Sequence, residues 1–317
     1  MVKTALVTGG GGFIGSHLVD LLLEHGYNVT IVDDLSLGKI GNVPKGVDFI
    51  QLDVRRLGPL KTYITEFSEP VDVIFNLAVN PLPMSLSTPR EVVDTNVGIT
   101  TAVCELVRHH LADTLIHFSS SEVYGTARYV PMDESHPLDC RTPYAASKAA
   151  CDQVVQSYGR TFGIDYAIVR PFNVIGPRQN MEDWAGVVPA TIKRCMRGEA
   201  SVIHGDGSFT RDFSYVDDVV RAAVDIWNTP ETRGKVVNVG SGVETTIECL
   251  ITSIADLFDS ACSVVHDSER PGDVARMVAD TTLARKLIDY EPRYSLDEAI
   301  EKTVAWYVRS GKSTSPA

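Results

Sequence analysis

The stretch Thr8-Gly-Gly-Gly-Gly12-Phe-Ile-Gly15 decides the fold, because it leads from a short apolar run into a helical pattern. Its glycines at positions 9, 12 and 15 have the GxxGxxG spacing. In such a loop the first glycine permits a tight turn, the second lets the backbone approach a pyrophosphate, and the third lets the helix pack against the strand. The N–H groups at the start of the helix then face the phosphates. The sequence therefore predicts a dinucleotide site at Gly9, Gly12 and Gly15.

Acidic residues follow the next two predicted strands. Asp33 and Asp34 end the second strand. An acid at this position accepts a hydrogen bond from the ribose 2′-hydroxyl and repels a 2′-phosphate, so NAD is favoured over NADP. Asp53 ends the third strand, in Leu52-Asp-Val-Arg55. It could bind the adenine amino group or cap the end of the strand, and the sequence leaves both interpretations open.

Short apolar runs alternate with helical stretches over the first half of the chain. The sequence predicts buried strands at residues 5–7, 29–32, 49–52, 73–75, 115–118, 166–169 and 236–239, and helices at residues 16–25, 95–110 and 143–162. This alternation is typical of an α/β fold, here a Rossmann-type doubly wound parallel sheet with helices on both faces. After Pro171, prolines and glycines divide the chain into shorter pieces, which predicts a smaller, mixed α/β cap.

Composition indicates a globular enzyme. The 317 residues are 44% hydrophobic and 22% charged, both ordinary values. The net charge of −12 argues against nucleic acid or an anionic membrane as the main partner. The six cysteines show no paired spacing, which predicts a reducing compartment and no metal site. The sequence shows no signal peptide and no apolar run long enough for a bilayer, so we expect a cytoplasmic protein.

Tyr144 and Lys148 lie four residues apart in a predicted helix, so their side chains share one face, one turn apart. An ammonium group beside a phenol favours tyrosinate, and tyrosinate is a usable base at neutral pH. A serine cluster with a glutamate, Ser119-Ser-Ser-Glu122, lies upstream. Together with the glycine loop, these residues indicate redox chemistry on a hydroxyl group.

These motifs resemble the extended short-chain dehydrogenase/reductase family, specifically its NAD-dependent nucleotide-sugar epimerases and dehydratases. The resemblance covers nearly the whole chain and rests on TGGGGFIGSHL (8–18), Asn76-Leu-Ala78, Asn96, SSSEVYG (119–125), Tyr144 with Lys148, RPFNVIGPR (170–178), GDGSFTRDFSYVDD (205–218) and Asn238-Val-Gly-Ser241. It implies NAD as the cofactor and a nucleotide-diphosphate sugar as the substrate. It also implies a homodimer, formed through the helices near residues 95–110 and 143–162.

The resemblance also implies roles for individual residues. Ser120 would bind the sugar O4, Tyr144 would be the base, and Lys148 would hold its pKa down and bind the nicotinamide ribose. The full cofactor set would be Gly9, Gly12, Phe13, Ile14, Gly15, Asp33, Asp34, Asp53, Val54, Leu77, Ala78, Asn96, Ser119, Tyr144 and Lys148. The substrate set would be Met84, Ser85, Asn173, Val187, Arg211, Arg270 and Asp273, with the arginines on the diphosphate and Asp273 on the nucleoside ribose.

The same resemblance predicts the division of the chain into domains. Residues 1–170 would form the NAD-binding domain, with residues 212–240 returning to it. Residues 171–211 and 241–310 would form the nucleotide-sugar-binding domain. Residues 311–317 are small and polar, and we expect them to be disordered.

Glu122 decides which reaction the sequence favours. Members of the family first oxidise the sugar, usually at C4, to a 4-keto intermediate. A dehydratase must then remove the C5 proton, and a carboxylate beside the sugar can do so. The working hypothesis is therefore dehydration of a nucleotide-diphosphate hexose, with Glu122 as the C5 base. Ser121 stands where the deoxythymidine-diphosphate-glucose dehydratases carry an aspartate, so it belongs to the catalytic set.

Two other reactions stay open. A 4-epimerase of the UDP-glucose or UDP-GlcNAc type needs no extra base, and a UDP-glucuronate decarboxylase also carries Ser-Glu at these positions. The segment Asn80-Pro-Leu-Pro-Met-Ser85 differs from the polar segment that is usual near the sugar. A non-catalytic NAD-binding regulator on the same fold is a further class. Ser120, Tyr144 and Lys148 argue against it, because a binding module does not need them.

Overall fold

Strands and helices alternate through most of the chain in the computed structural model, which describes residues 2–67, 70–258, 262–269 and 272–312. The strands are β1 (Thr4–Thr8), β2 (Asn28–Asp33), β3 (Asp48–Gln51), β4 (Val71–Asn76), β5 (Ala112–Phe118), β6 (Asp165–Pro171), β7 (Asn173–Ile175), β8 (Ser201–His204), β9 (Thr210–Tyr215), β10 (Val236–Val239), β11 (Glu244–Thr246) and β12 (Val264–Asp267). The helices are α1 (Phe13–Glu24), α2 (Leu57–Phe67), α3 (Leu82–Ser85), α4 (Pro89–Arg108), α5 (Pro143–Phe162), α6 (Val187–Met196), α7 (Val216–Asn228), α8 (Ile247–Ala255), α9 (Thr282–Ile288) and α10 (Leu296–Lys312).

Seven strands form the central sheet, in the order β10-β6-β5-β4-β1-β2-β3. Every neighbouring pair in it is parallel. The order reverses between β1 and β4, where Thr8 lies opposite Asn76. Ligands of doubly wound sheets bind outside the carboxyl ends of the strands at such a reversal. The prediction of a Rossmann-type α/β fold is therefore confirmed, and the expected site lies beyond Thr8 and Asn76.

Residues at the two ends of helix α5 determine where it begins and ends. Pro143 occupies the first turn, and the N-cap Thr142 accepts a hydrogen bond from the Ala145 N–H at 3.1 Å. The helix ends at Gly163, whose φ of +69° is the left-handed conformation that terminates helices. Helix α4 begins at Pro89, six residues before the predicted start, because its first turn is exposed and carries no apolar periodicity.

The rest of the chain builds two smaller sheets. Strands β11, β9 and β7 form a mixed three-stranded sheet, and β12 pairs with β8. Strand β10 pairs with β6, so the chain leaves the central sheet after β6 and returns beside it. The division into two domains stays a prediction. The expectation of disorder from residue 311 is wrong for its first two residues, because α10 extends to Lys312, and residues 313–317 lie outside the described part. Within that part, no helix is long and apolar enough to cross a membrane.

Candidate active site

A cleft with a volume of about 470 Å³ lies at the strand reversal. Most of the residues that the sequence assigned to the site form its wall: Gly9, Gly12, Phe13, Ile14, Gly15, Asp33, Asp34, Asp53, Val54, Leu77, Ala78, Ser119, Ser120, Ser121, Glu122, Tyr144, Lys148 and Asn173. Asn96, Met84, Ser85, Val187, Arg211 and Asp273 are not part of this wall. Arg270 lies outside the described residues.

The glycine loop is shaped to hold a ligand by its backbone. Gly9 has a φ of +71°, and a Cβ atom there would lie 2.7 Å from the Ala78 nitrogen. A Cβ on Gly15 would lie 2.1 Å from the Gly9 carbonyl oxygen. Gly12 is the N-cap of α1, and no side chain of the described part caps this end. The N–H groups of the first turn thus remain available, and the loop fits the pyrophosphate of a dinucleotide.

The two acids after β2 have different surroundings. Asp33 is buried, and its carboxylate accepts hydrogen bonds from the Gly11 N–H at 2.9 Å and the Leu35 N–H at 2.8 Å. Burial raises the pKa of Asp33. Asp34 is exposed and accepts from the Ser36 N–H at 2.8 Å. Asp33 therefore holds the glycine loop as well as facing the cleft.

Asp53 closes the turn at the end of its strand, and its binding of the adenine amino group stays a prediction. Its Oδ2 lies 2.6 Å from Arg55 Nη2, and this side-chain bond lowers the pKa of Asp53. Its Oδ1 also accepts from the Arg55 N–H at 2.9 Å, which closes the turn after β3. The residue lines the cleft at the same time.

Asn96 positions a neighbouring segment. Its Oδ1 accepts from the Asn80 N–H at 2.8 Å, and its Nδ2 donates to the Asn80 carbonyl at 3.1 Å and to Ser147 Oγ at 2.9 Å. These bonds fix the segment 79–83, which lines the cleft, against α5. Ser85 is buried and donates to the Leu82 carbonyl at 2.7 Å.

The catalytic candidates come together on one side of the cleft. Ser120 precedes a 3₁₀ turn (Ser121–Tyr124), and its Oγ accepts from the Glu122 N–H at 3.3 Å. The Ser120 hydroxyl lies close enough to Tyr144 to lower the pKa of its phenol. Lys148, one turn further along α5, donates from Nζ to the Phe118 carbonyl at 2.5 Å. The strand end and the helix thus bring Ser120, Tyr144 and Lys148 together.

The pKa expected for Tyr144 needs correction. The sequence predicts that Lys148 lowers the pKa of the phenol. In the structure, burial dominates and raises the pKa of Tyr144, the nearby Ser120 hydroxyl partly opposes this, and nearby Glu122 adds to it. Burial also lowers the pKa of Lys148. The reason is that both groups lie in a poorly solvated wall, which disfavours the charged form of each.

Glu122 lines the cleft and lies near both Tyr144 and Arg211. Burial raises its pKa, Arg211 lowers it, and Asp273 raises it again. Arg211 is itself held by donation from Nη1 to the Thr210 carbonyl at 2.9 Å. Thus Arg211 and Asp273, although outside the wall of the cleft, act electrostatically on Glu122.

Several residues of the wall were missed by sequence reasoning. Arg178 and Trp184 line the cleft with φ values of +66° and +70°. Lys39 and Asn42 also line it, and each donates to the Gly11 carbonyl at 2.9 Å, Lys39 from its N–H and Asn42 from Nδ2. No regular spacing in the sequence marks these four residues, because the geometry of their loops brings them to the site. Only their nearness to the motifs quoted above could have indicated them.

Comparison with known proteins assigns the family. The model of the NAD dependent epimerase/dehydratase family matches residues 5–240. The chain belongs to this family. Like the other members, this epimerase/dehydratase is an NAD-dependent enzyme of nucleotide-sugar chemistry. The glycine loop and Asp33 fit that cofactor, and the residues described contain no group of three or more His, Cys, Asp or Glu placed to hold a metal ion.

Relatives with different activities resemble the chain along its whole length. The UDP-glucose 4-epimerase of Mycolicibacterium smegmatis is 36% identical and covers 95% of this chain and 97% of its own. The dTDP-glucose 4,6-dehydratase of Streptomyces antibioticus is 32% identical, with coverage of 95% and 91%. A crystal structure of the Thermotoga maritima UDP-glucose 4-epimerase with UDP-glucose has a TM-score of 0.93 and 32% identity, with coverage of 97% and 99%.

Proposed function

We propose that this enzyme oxidises C4 of a nucleotide-diphosphate hexose and then removes water across C5 and C6. The observation that carries this proposal is the position of Glu122, which lines the cleft together with Ser120 and Tyr144. A 4-epimerase needs no base beyond Tyr144, whereas a dehydratase needs a second base for the C5 proton, and the Glu122 carboxylate can supply it.

The first half-reaction uses the hydroxyl groups of Ser120 and Tyr144. A sugar O4 that reaches Ser120 and Tyr144 can give its proton to the phenolate of Tyr144. NAD, when bound, supplies the acceptor for the C4 hydride and returns that hydride later. Lys148 adds a positive charge one helical turn from the phenol.

The second half-reaction depends on Glu122. The C4 ketone makes the C5 proton acidic, and Glu122 removes it. The C6–O bond breaks, and the hydroxyl leaves as water with one proton. C6 then gains the hydride that C4 lost, and C5 gains one proton, which balances the proton that Tyr144 took from O4. Because burial raises the pKa of Glu122, its carboxyl can hold the C5 proton and deliver it to the leaving hydroxyl.

We assign further residues to parts of the nucleotide-sugar substrate. Asn173 and Arg211 bind the nucleotide diphosphate, and Asp273 binds the nucleoside ribose. Met84, Ser85 and Val187 border the sugar, and Arg270, which lies outside the described residues, is a second diphosphate ligand. Arg211 suits this role because the residue is half-buried and its Nε and Nη2 donors remain beyond the bonds from Nη1 to the Thr210 and Val274 carbonyls.

A 4-epimerase is the second candidate, because two of the relatives compared above are named UDP-glucose 4-epimerases. Such an enzyme would use the same oxidation and return the hydride to the other face of C4. Glu122 would then have only a structural role.

Product mass distinguishes the candidates. The purified enzyme with NAD would be incubated with UDP-glucose, UDP-GlcNAc, UDP-glucuronate, GDP-mannose and dTDP-glucose. Loss of water from one of them supports dehydration. Unchanged mass with a new sugar signal by NMR would make the enzyme an epimerase, and loss of carbon dioxide would make it a decarboxylase.

Variants of Glu122 then test its role. Glu122→Gln should slow water loss by about 10²–10⁴-fold, while the transient rise in NADH absorbance from C4 oxidation persists. The matched control is Glu24→Gln on the exposed face of α1, which should leave both steps unchanged. Water loss at the wild-type rate in Glu122→Gln would contradict the assignment.

We also propose a homodimer formed through α4 and α5. The two helices pack against each other, and Phe162 at the end of α5 and Leu86 before α4 are large exposed apolar side chains. Light scattering of the purified protein tests this, and a monomeric mass at micromolar concentration would reject it.

A further inference from the structure

A buried polar layer lies behind the catalytic side chains. It consists of His117 on β5, Lys148 and Asp152 on α5, and Arg170 on β6, none of them more than 5% exposed. Ionisable groups are costly to bury unless they are paired. The mechanism proposed above uses only Lys148, so the other three need a separate explanation.

The hydrogen bonds that lead into this layer have a fixed direction. The N–H groups of Leu77 and Ala78 donate to Thr8 Oγ1 at 3.1 and 3.2 Å. The Thr8 hydroxyl donates in turn to Asn76 Oδ1 at 2.8 Å. Asn76 Nδ2 therefore faces His117 Nδ1, 3.1 Å away, and donates to it. Since an amide NH₂ can only donate, Nδ1 is the acceptor nitrogen of the ring.

His117 must then carry its proton on Nε2. Burial, Lys148 and Arg170 hold the pKa of His117 well below its usual range, so the ring is neutral. Its Nε2 lies 3.8 Å from Asp152 Oδ1. Within the part of the chain that the structure describes, neither atom has a hydrogen-bond partner. The separation exceeds an ordinary N–H···O distance by about 1 Å, so a small movement completes the bond.

Asp152 joins the two segments that carry the catalytic groups. Its Oδ2 accepts from Ser119 Oγ at 2.8 Å and from Arg170 Nη2 at 2.5 Å. Ser119 immediately precedes Ser120, and Asp152 follows Lys148 by one turn of α5. Asp152 does not line the cleft, so it acts on the reaction indirectly, through these neighbours and through its charge, which raises the pKa of both Tyr144 and Lys148.

We propose that Asp152 is a positioning residue, which fixes Ser120 and Lys148 relative to each other through Ser119 and α5. The directed chain of hydrogen bonds from Leu77 and Ala78, beside the glycine loop, ends at His117, whose Nε2 lies 3.8 Å from the same carboxylate. The buried layer thus brings the cofactor side and the catalytic side of the cleft to within one small movement of a shared anchor. This inference rests on the proposed roles of Ser120, Tyr144 and Lys148.

The kinetic test uses Asp152→Asn, which keeps the shape but removes the charge. We expect the rate of the first oxidation, measured as NADH absorbance after rapid mixing with the best substrate, to fall about 10–100-fold, because small displacements of reacting groups have effects of this size. The KM should change less than threefold, because Asp152 does not touch the cleft. Asp152→Glu restores the charge and should recover part of the rate.

A purely structural role would give a different result. The melting temperature of Asp152→Asn would fall, but the folded fraction would keep the wild-type oxidation rate, and that outcome would overturn the proposal. Because the NADH signal precedes any loss of water, it is read in the same way for a dehydratase and an epimerase. If Asp152→Asn fails to fold, Asp152→Glu alone must show the loss of rate without a change in KM.

A spectroscopic test needs no substrate. In protein with ¹⁵N-labelled histidine, the ring shifts of His117 should report a neutral Nε2–H tautomer that does not titrate between about pH 5 and pH 8, in contrast to an ordinary histidine. Asn76, Lys148, Asp152 and Arg170 are the groups that surround the ring. An Nδ1–H tautomer, or titration near the usual pKa, would show that the hydrogen bonds do not run in this direction, whatever reaction the enzyme catalyses.

Discussion

The cofactor half of the cleft is built from backbone, whereas the substrate half is built from side chains. Gly9, Gly12 and Gly15 lie in the loop before α1 and in its first turn, and their function is to leave space and expose N–H groups. The groups proposed for the sugar and diphosphate, such as Ser120 and Arg211, come from segments far apart in the chain. A backbone site is encoded by local spacing, but a side-chain site exists only when the fold has brought its members together.

The two halves should therefore fail in different ways. A change in the cofactor half acts through sterics and affects folding and NAD binding together. A change in the substrate half can remove one functional group from an otherwise intact protein. The following experiments test that contrast.

Removal of the Tyr144 hydroxyl should have the largest effect. In Tyr144→Phe we expect C4 oxidation to slow by about 10²–10⁴-fold, because the proton acceptor is lost. NAD affinity, measured by calorimetry, and the melting temperature should stay near wild type. Tyr158→Phe, on the same helix, is the control and should be fully active. A strong loss of NAD binding in Tyr144→Phe would show that the two halves are not separable.

A single methyl group should disable the cofactor half. In Gly15→Ala the new Cβ would lie 2.1 Å from the Gly9 carbonyl oxygen. The loop must shift, which we expect to cost about 1–3 kcal/mol of folding free energy and most of the NAD affinity. Gly41→Ala provides the matched control, since a Cβ there would meet nothing within 4 Å. Wild-type NAD affinity in Gly15→Ala would refute the claim that NAD is bound by the backbone of the glycine loop.

Asp33 tests a side chain within the backbone half. In Asp33→Asn we expect NAD affinity to fall about 10–100-fold, because a charged hydrogen-bond acceptor is lost from the ribose and the Gly11 N–H. The preference for NAD over NADP should also shrink, since the repulsion of a 2′-phosphate disappears. Asp34→Asn, at the exposed neighbour, should have a smaller effect, and equal effects of the two variants would contradict the division of roles.

Titration of the Tyr144 phenol gives the smallest expected effect, but it reports on one group alone. Because burial raises the pKa of Tyr144, tyrosinate should form at higher pH than in an ordinary tyrosine when NAD is absent. The ultraviolet difference between wild type and Tyr144→Phe, followed over alkaline pH, isolates this one phenol. A phenol that ionises early would restore the sequence-based view that Lys148 lowers its pKa.

The contrast also explains what the sequence could predict. The glycine loop, the parallel sheet and the Tyr144–Lys148 pair follow from local spacing, and all are found in the structure. The dominance of burial over Lys148 at Tyr144 depends on three-dimensional surroundings, which spacing does not contain. The same holds for Trp184 and Arg178, which reach the cleft through loop geometry. The predicted start of α4 lies six residues after the observed one, because Pro89 and the exposed turn after it lack apolar periodicity.

The pairing of β10 with β6 has a mechanical consequence. The chain leaves the sheet at Pro171, builds a large part of the predicted cap, and re-enters beside the same strand at Val236. It then leaves again, so three separate connections tie the cap to the sheet. A part held at three points resists rotation about any single hinge. We therefore expect that substrates enter by the movement of individual loops, while the two halves of the cleft keep a constant separation throughout the catalytic cycle.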